Sequence, residues 1–110
     1  MSSSRLDQLL TFHKESPTDS FILFALAKEY ENQSELEIAL QYYQQLTKNA
    51  PNYIGTYYHL GKLHERMDQA AFAFQTYKKG MAIAKKIGDQ HALGELAGAK
   101  LALGDDEDFE

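Results

Sequence analysis

The chain has 110 residues, no cysteine and a formal net charge of −5 at pH 7. This length suits one small domain, residues 1–110, and the missing cysteines exclude disulfides and thiolate metal sites. The acidic balance argues against a nucleic-acid interface, which normally needs a basic stripe. No apolar run approaches the roughly 20 residues that span a bilayer, and no signal-peptide pattern opens the chain. We therefore expect a cytoplasmic domain with no nucleic-acid or membrane partner.

The order of the predicted elements follows from an internal repeat of 34 residues, the interval between the only two prolines, Pro17 and Pro51. When the sequence is shifted by this interval, large apolar residues fall on large ones and small residues on small ones. The coinciding pairs include Leu26 with Leu60, Ala27 with Gly61, Glu31 with Glu65, Ala39 with Ala73 and Tyr43 with Tyr77. A fixed period of this length is typical of helical repeat proteins.

The first predicted element is a single leading helix at residues 4–15. The same shift places Leu9 on Tyr43 and Phe12 on Leu46, so this helix corresponds to the second helix of a truncated repeat. The sequence from Ser16 to Asp19 then predicts the start of the next helix, with Pro17 at its first position.

Two full repeats follow, repeat 1 at residues 20–53 and repeat 2 at residues 54–87. Apolar residues recur at intervals of three and four, which predicts two helices in each repeat. Between the helices, Ser34 with Glu37 has the spacing of a capping box, and Asp68 is placed as an N-cap.

The last predicted elements are a capping helix at residues 89–104 and an acidic tail at residues 105–110, DDEDFE. We expect the tail to be flexible. An alternative is that it folds back over Lys28 and Lys62 with Phe109 as an anchor.

These features together resemble the tetratricopeptide repeat, whose signature is an aromatic residue or leucine, a leucine with a small residue, tyrosine, alanine, an aromatic residue and proline. Repeat 1 supplies Leu23, Leu26, Ala27, Tyr30, Ala39, Tyr43 and Pro51, and repeat 2 supplies Tyr57, Leu60, Gly61, Ala73 and Tyr77. Repeat 2 departs at His64, Gly80 and Lys85. The third departure predicts a longer second helix, because lysine stands where proline is usual.

The resemblance implies an all-α fold, a short right-handed α-solenoid of about six helices in antiparallel pairs. It also implies a non-enzymatic adaptor or scaffold that binds a protein or peptide, with no cofactor. Some members of the family clamp the C-terminal carboxylate of heat-shock chaperones. We do not expect that activity here, because the positions concerned lack the required pattern of basic residues and asparagines, and Glu95 would repel a carboxylate.

The stretch TYYHLGKLHERM, residues 56–67, holds the side chains that a metal or acid/base site would use. His59 and His64 lie about 140° apart on a helix, so they cannot share one metal ion from one face. His64 replaces the tyrosine of the signature, which predicts a packed, hydrogen-bonded histidine. His91 with Glu95 supplies only two ligands. We therefore expect no metal site and no catalytic residues.

A binding groove is the favoured functional hypothesis, because in this family the first helix of each repeat lines the concave face. Aromatic and basic side chains at these positions suit an extended peptide or helix that carries an acidic group. The predicted groove residues are Phe21, Phe24, Lys28, Tyr58, His59, Lys62, Glu65 and Arg66. The alternative is that the charged residues among them only solvate a helix face.

A second hypothesis concerns self-association through the last helix. Gly94 and Gly98 lie on one face, which allows another backbone to approach closely. They are therefore a candidate dimer contact in a homodimer. The alternative is a packing seam of small residues against the preceding helix.

Overall fold

The computed structural model describes residues 3–109, and side chains from Arg5 onward. The secondary structure consists of α1 (Ser3–Glu15), α2 (Ser20–Asn32), α3 (Leu36–Asn49), α4 (Gly55–Arg66), α5 (Ala70–Ile87), α6 (Gln90–Leu103) and a short 3₁₀-helix (Asp106–Phe109). No strand occurs within residues 3–109, so the prediction of an all-α chain of about six helices is confirmed. None of the helices in this range is both long and apolar enough to cross a membrane.

The helices form two compact units that divide between Tyr53 and Ile54. In the first unit, α2 and α3 bury their signature residues against each other, and Leu23, Leu26 and Tyr43 are fully buried. Burial of a leucine-sized side chain contributes about 1.5–3 kcal/mol, so these contacts hold the helix pair together. Helix α1 joins the unit through Leu9, which packs with Ala25 and Leu26 of α2.

The core of the second unit joins α4, α5 and α6. Its buried cluster consists of Tyr57, Ala73, Tyr77, Ala84, Leu96 and Ala99. Gly80 is required for this packing, because a Cβ atom there would lie 2.6 Å from Cβ of Tyr57 and 3.0 Å from Cδ1 of Leu96. A Cβ atom at Gly61 would overlap the ring of Tyr77. The small residues of the repeat signature therefore permit the helices to approach closely.

The turns between paired helices correct two capping predictions. Ser34 and Asp68 are left-handed, with φ of 62° and 59°, and each ends the helix before it. The amide of Glu35 donates to the carbonyl of Tyr30 at 2.9 Å, and that of Gln69 donates to the carbonyl of His64 at 2.8 Å. This six-to-one bond after a left-handed residue is the Schellman motif. The predictions of a Ser34–Glu37 capping box and an Asp68 N-cap are wrong, because neither side chain caps the following helix.

The start of α2 also differs from its prediction, since Pro17 precedes the helix and lies in a turn. Asp19 is the N-cap, and its carboxylate accepts a hydrogen bond from the amide of Ile22 at 3.1 Å. Helix α6 begins in the same way at Asp89, which accepts from the amide of Ala92 at 2.9 Å. These two aspartates satisfy amides that the first helical turn leaves without a partner.

The prediction of a longer second helix in repeat 2 is confirmed. Helix α5 has 18 residues, whereas its counterpart α3 has 14. Lys85 continues α5 beyond the point where Pro51 follows α3. The helix ends at Gly88, whose φ of 78° suits glycine.

Candidate functional site

Helix α2 carries the predicted groove residues of the first unit. Phe21 is 67% exposed, whereas Phe24 and Lys28 are half-buried. The Phe24 ring contacts Tyr43 edge-on at a centroid distance of 6.2 Å and Tyr53 at 5.7 Å. Phe24 is therefore supported from within the unit, and Phe21 is the aromatic side chain that this helix offers to solvent.

Helix α4 carries the corresponding residues of the second unit around the half-buried ring of Tyr58. Its centroid lies 5.7 Å from that of His59, in edge geometry, and 6.4 Å from that of Tyr77. The Lys62 ammonium lies 5.6 Å from the same centroid, within the range of a cation–π contact. Tyr58 is thus held in one orientation by three side chains before any ligand arrives.

The charges on α4 are paired more closely than the sequence predicts. Lys62 Nζ lies 3.7 Å from Oε2 of Glu65. The same Glu65 oxygen accepts a hydrogen bond from the Tyr77 hydroxyl. Lys62 keeps 42% of its side chain exposed and Glu65 keeps 31%. Lys62 therefore remains accessible, but an acidic ligand would have to compete with Glu65 for it.

The Tyr77–Glu65 hydrogen bond has a counterpart in the first unit. There the Tyr43 hydroxyl donates to Oε1 of Glu31 at 2.8 Å. Burial raises the pKa of both tyrosines far above the usual value near 10, and the neighbouring glutamates raise it further. Both phenols consequently remain protonated donors over the whole physiological range.

His64 has the structural role that the sequence predicts for it. The side chain is buried, its Nδ1 lies 2.8 Å from Oε1 of Gln69, and its ring contacts Phe72. The prediction of a packed, hydrogen-bonded histidine is confirmed. Within residues 3–109, no three histidine or carboxylate side chains are arranged to hold a metal ion.

A basic cavity of about 330 Å³, which was not among the sequence predictions, lies on α5 and α6. The residues that line it are Lys78, Met81, Ala82, Lys85 and Lys100. The four on α5 have the spacing i, i+3, i+4, i+7 of one helix face. That spacing was a usable signal, but the contribution of Lys100 from α6 requires the packed structure.

The acidic tail corrects another expectation. Its residues Asp106–Phe109 form the 3₁₀-helix, and Glu110 lies outside the described residues. Asp106 Oδ1 lies 3.4 Å from Nζ of Lys100 and 4.0 Å from Nζ of Lys78. Phe109 stacks on Phe74 with ring centroids 4.4 Å apart. This aromatic contact and the two lysines hold residues 106–109 against α5 and α6, where a flexible segment was expected.

The glycines of α6 do not form the packing seam that was one of the two alternatives. Gly94 and Gly98 are exposed, and a Cβ atom on either would meet no atom of residues 3–109 within 4 Å. Helix α6 instead packs through Leu96 and Ala99, which are buried. Leu101, on the same face as the glycines, is 75% exposed.

Comparison with known proteins defines the class of this molecule, a helical repeat protein. The crystal structure of a tetratricopeptide repeat domain protein from Salinibacter ruber matches this chain with 41% sequence identity and a TM-score of 0.73. The match covers 84% of this chain and 99% of that chain. The solution structure of a tetratricopeptide repeat domain protein from the same organism is 42% identical over 81% and 90%, with a TM-score of 0.78. The chain therefore belongs to the tetratricopeptide repeat family.

A third structure shares the fold alone. A protein from Bordetella parapertussis has a TM-score of 0.78 at 24% identity, over 94% of this chain and 90% of that chain. No family model matches the sequence, and no curated protein matches it. The family assignment thus rests on the solved structures, and it favours a protein–protein interaction module.

Proposed function

We propose that the chain is a non-enzymatic, cytoplasmic interaction module in which the first helix of a repeat, α2 in one unit or α4 in the other, binds a peptide or helical segment. The observation that carries the proposal is the fixed ring of Tyr58 beside the accessible ammonium of Lys62. An aromatic surface next to a cation suits an apolar or aromatic side chain followed by an acidic group.

The preorganisation of Tyr58 supports this function in energetic terms. A ring already held by His59, Tyr77 and Lys62 loses little side-chain entropy when a ligand covers it. Interfaces gain affinity when such ordering costs are small. Phe21 adds an exposed aromatic side chain on α2, and aromatic residues are enriched at the centres of protein interfaces.

The test compares partner capture by the wild-type chain and by the variant Tyr58→Ala with Lys62→Ala, using quantitative mass spectrometry of bound proteins. We expect the double variant to lose its specific partner while its helical circular dichroism is unchanged. The matched control is Phe12→Ala with Lys48→Ala, which removes an exposed aromatic residue and an exposed lysine from α1 and α3. Equal capture by the two double variants would refute the proposal.

Self-association through α6 is a second candidate function. The observation that favours it is the open face formed by Gly94, Gly98 and the exposed Leu101. Glycine costs roughly 1 kcal/mol relative to alanine inside a helix, and no close contact among the described residues requires it at either position. A second α6 packed on this face would provide such a requirement.

Sedimentation equilibrium distinguishes this candidate from the first. A homodimer through α6 would dissociate in the variant Gly98→Leu, which places a large side chain on the face. A chain that remains monomeric at millimolar concentration would eliminate the candidate. Partner capture through α4 does not depend on the result, because Tyr58 and Lys62 lie on a different helix.

A further inference from the structure

Residues 105–109, called the acidic segment below, are bound to α5 and α6 as a peptide ligand would be. Their two anchors are a carboxylate and an aromatic ring three positions later in the chain. Asp106 contacts the ammonium groups of Lys78 and Lys100, and Phe109 stacks on Phe74 with an interplanar angle of 18°. The surface beneath the segment therefore recognises negative charge and an aromatic side chain together.

The acidic segment contributes to the burial of Phe74. Phe74 is 1% exposed, whereas its equivalent in repeat 1, Leu40, is half-buried. The Lys100 ammonium lies 4.7 Å from the centroid of the Phe74 ring, and Phe109 covers the ring as well. Release of the segment would expose an aromatic ring beside two lysines.

The basic cavity continues from this surface. Lys78 and Lys100, the two lysines that contact Asp106, also line the cavity. From them the cavity extends along α5 to Met81, Ala82 and the exposed Lys85. A ligand longer than the acidic segment could therefore use the same two lysines and additionally bury apolar atoms on Met81 and pair with Lys85.

We propose that α5 and α6 form a second peptide-binding site, distinct from the surfaces proposed on α2 and on α4. Its ligand is an acidic peptide of another protein with an aromatic residue three positions after an aspartate or glutamate. The acidic segment occupies part of this site in the free chain and is displaced when the partner binds.

A partner peptide fits this site better than the acidic segment of a second copy. Within one chain, the segment competes at the high effective concentration that a short connection provides. An identical segment from another copy has the same contacts and lacks that advantage. A partner that also reaches Lys85 and the apolar side chains of the cavity has contacts beyond the two anchors of the internal segment.

Competition by the internal segment gives the proposal a quantitative consequence. The apparent affinity for an added peptide falls in proportion to the fraction of molecules in which the site is open. If the segment is docked in about nine-tenths of the molecules, its release strengthens the binding of a peptide about tenfold. Substitutions that undock the segment without altering the lysines should therefore increase affinity.

The experiment titrates the ¹⁵N-labelled full chain with the peptide GDDEDF, the sequence of residues 104–109, and follows amide chemical shifts. The chains compared are the wild type and the variant Asp106→Asn with Phe109→Ala. We expect saturable shifts around Phe74, Lys78 and Lys100, with an affinity about tenfold higher for the variant. Because Phe109→Ala also removes packing, Asp106→Asn alone is measured as a second variant and should show a smaller increase.

Control variants separate the site from general attraction between charges. Lys78→Gln or Lys100→Gln, added to the undocked variant, should weaken peptide binding severalfold. Lys86→Gln is the matched control, because Lys86 is an exposed lysine on α5 that does not line the cavity. A peptide with alanine in place of its phenylalanine should bind more weakly to every variant.

Three results would overturn the proposal. The first is equal peptide affinity in the wild type and both undocked variants. The second is equal loss of binding in the variants at Lys86 and Lys78. The third is a wild-type dimer that dissociates when Phe109 is replaced by alanine, because the occupant would then be the acidic segment of a second copy.

Discussion

Tyr77 on α5 donates its hydroxyl to the carboxylate of Glu65 on α4, twelve residues earlier in the chain. Tyr43 and Glu31 repeat the arrangement in the first unit at the same separation, with a distance of 2.8 Å. A buried phenol needs an acceptor, and a carboxylate is a strong one. Each pair therefore joins the two helices of one repeat. Glu31 and Glu65 consequently help to hold the repeat, although the sequence made Glu65 a candidate for ligand contact.

We expect Tyr77→Phe and Tyr43→Phe each to lower the free energy of unfolding by about 1 kcal/mol. The ring and its packing remain, so the decrease in the free energy of unfolding measures the loss of the hydrogen bond between the hydroxyl and the glutamate. Urea denaturation followed by circular dichroism measures the change. Tyr53→Phe is the control, because Tyr53 is half-buried and contacts Phe24 through its ring. An unchanged stability in both variants would show that the hydrogen bonds contribute nothing net.

The buried tyrosines predict a loss of stability at alkaline pH. Burial raises the pKa of Tyr43 and Tyr77 above the value of about 10 that they have in the unfolded chain. Their contribution is fully present below pH 10 and is lost as the pH rises toward the folded-state pKa, since the unfolded chain releases these protons first. The slope is roughly 1.4 kcal/mol per pH unit for each tyrosine. Between about pH 9 and 11, the free energy of unfolding should fall less steeply with pH in Tyr77→Phe than in the wild type. An identical slope in the two proteins would contradict the raised pKa of Tyr77.

The glycines predict opposite effects of the same substitution. Gly61→Ala should destabilise the chain by about 1–3 kcal/mol, because the added methyl group overlaps the ring of Tyr77. Gly94→Ala should stabilise a monomer by up to about 1 kcal/mol, since the methyl group meets nothing within 4 Å and alanine favours the helix. Thermal unfolding of the two variants checks the contrast. Destabilisation by Gly94→Ala would indicate that the face of α6 is already in contact with another molecule.

The left-handed conformation of Ser34 predicts that glycine at this position stabilises the chain. Ser34 has φ of 62°, a conformation that is unfavourable for residues with a side chain. Ser34→Gly should raise the free energy of unfolding by about 0.5–1 kcal/mol, because glycine adopts this region without a steric penalty. Ser34→Ala is the matched control and should not stabilise the chain. Equal stability of the glycine and alanine variants would mean that the turn is unstrained.

The fold could be predicted from the sequence because the residues that pack the helices recur at the same positions of each repeat. The 34-residue spacing of Leu26 with Leu60 and of Tyr43 with Tyr77 reflects buried contacts, and the structure buries all four. The capping predictions at Ser34 and Asp68 were wrong because a polar residue between two helices can end one or begin the next. Only the backbone conformation distinguishes these roles, and it is left-handed at both residues.

The candidate site was less predictable because a charged side chain on the surface can pair with any of several neighbouring groups. The sequence placed Lys62 and Glu65 on one helix face, but it did not show that Glu65 also accepts from Tyr77. The acidic segment was expected to be flexible on its charge alone. Its order depends on Phe109 reaching Phe74, which lies 35 residues earlier in the chain.

Site-specific photocrosslinking in the source cells tests directly whether a partner binds at the first helix of a repeat. Benzoylphenylalanine replaces His59, beside Tyr58 on α4, or Gln45, an exposed residue on α3, as the control. We expect a specific protein partner to crosslink at position 59 and not at position 45. The same partner crosslinked equally at both positions, or no crosslink at position 59, would contradict binding through the first helices of the repeats.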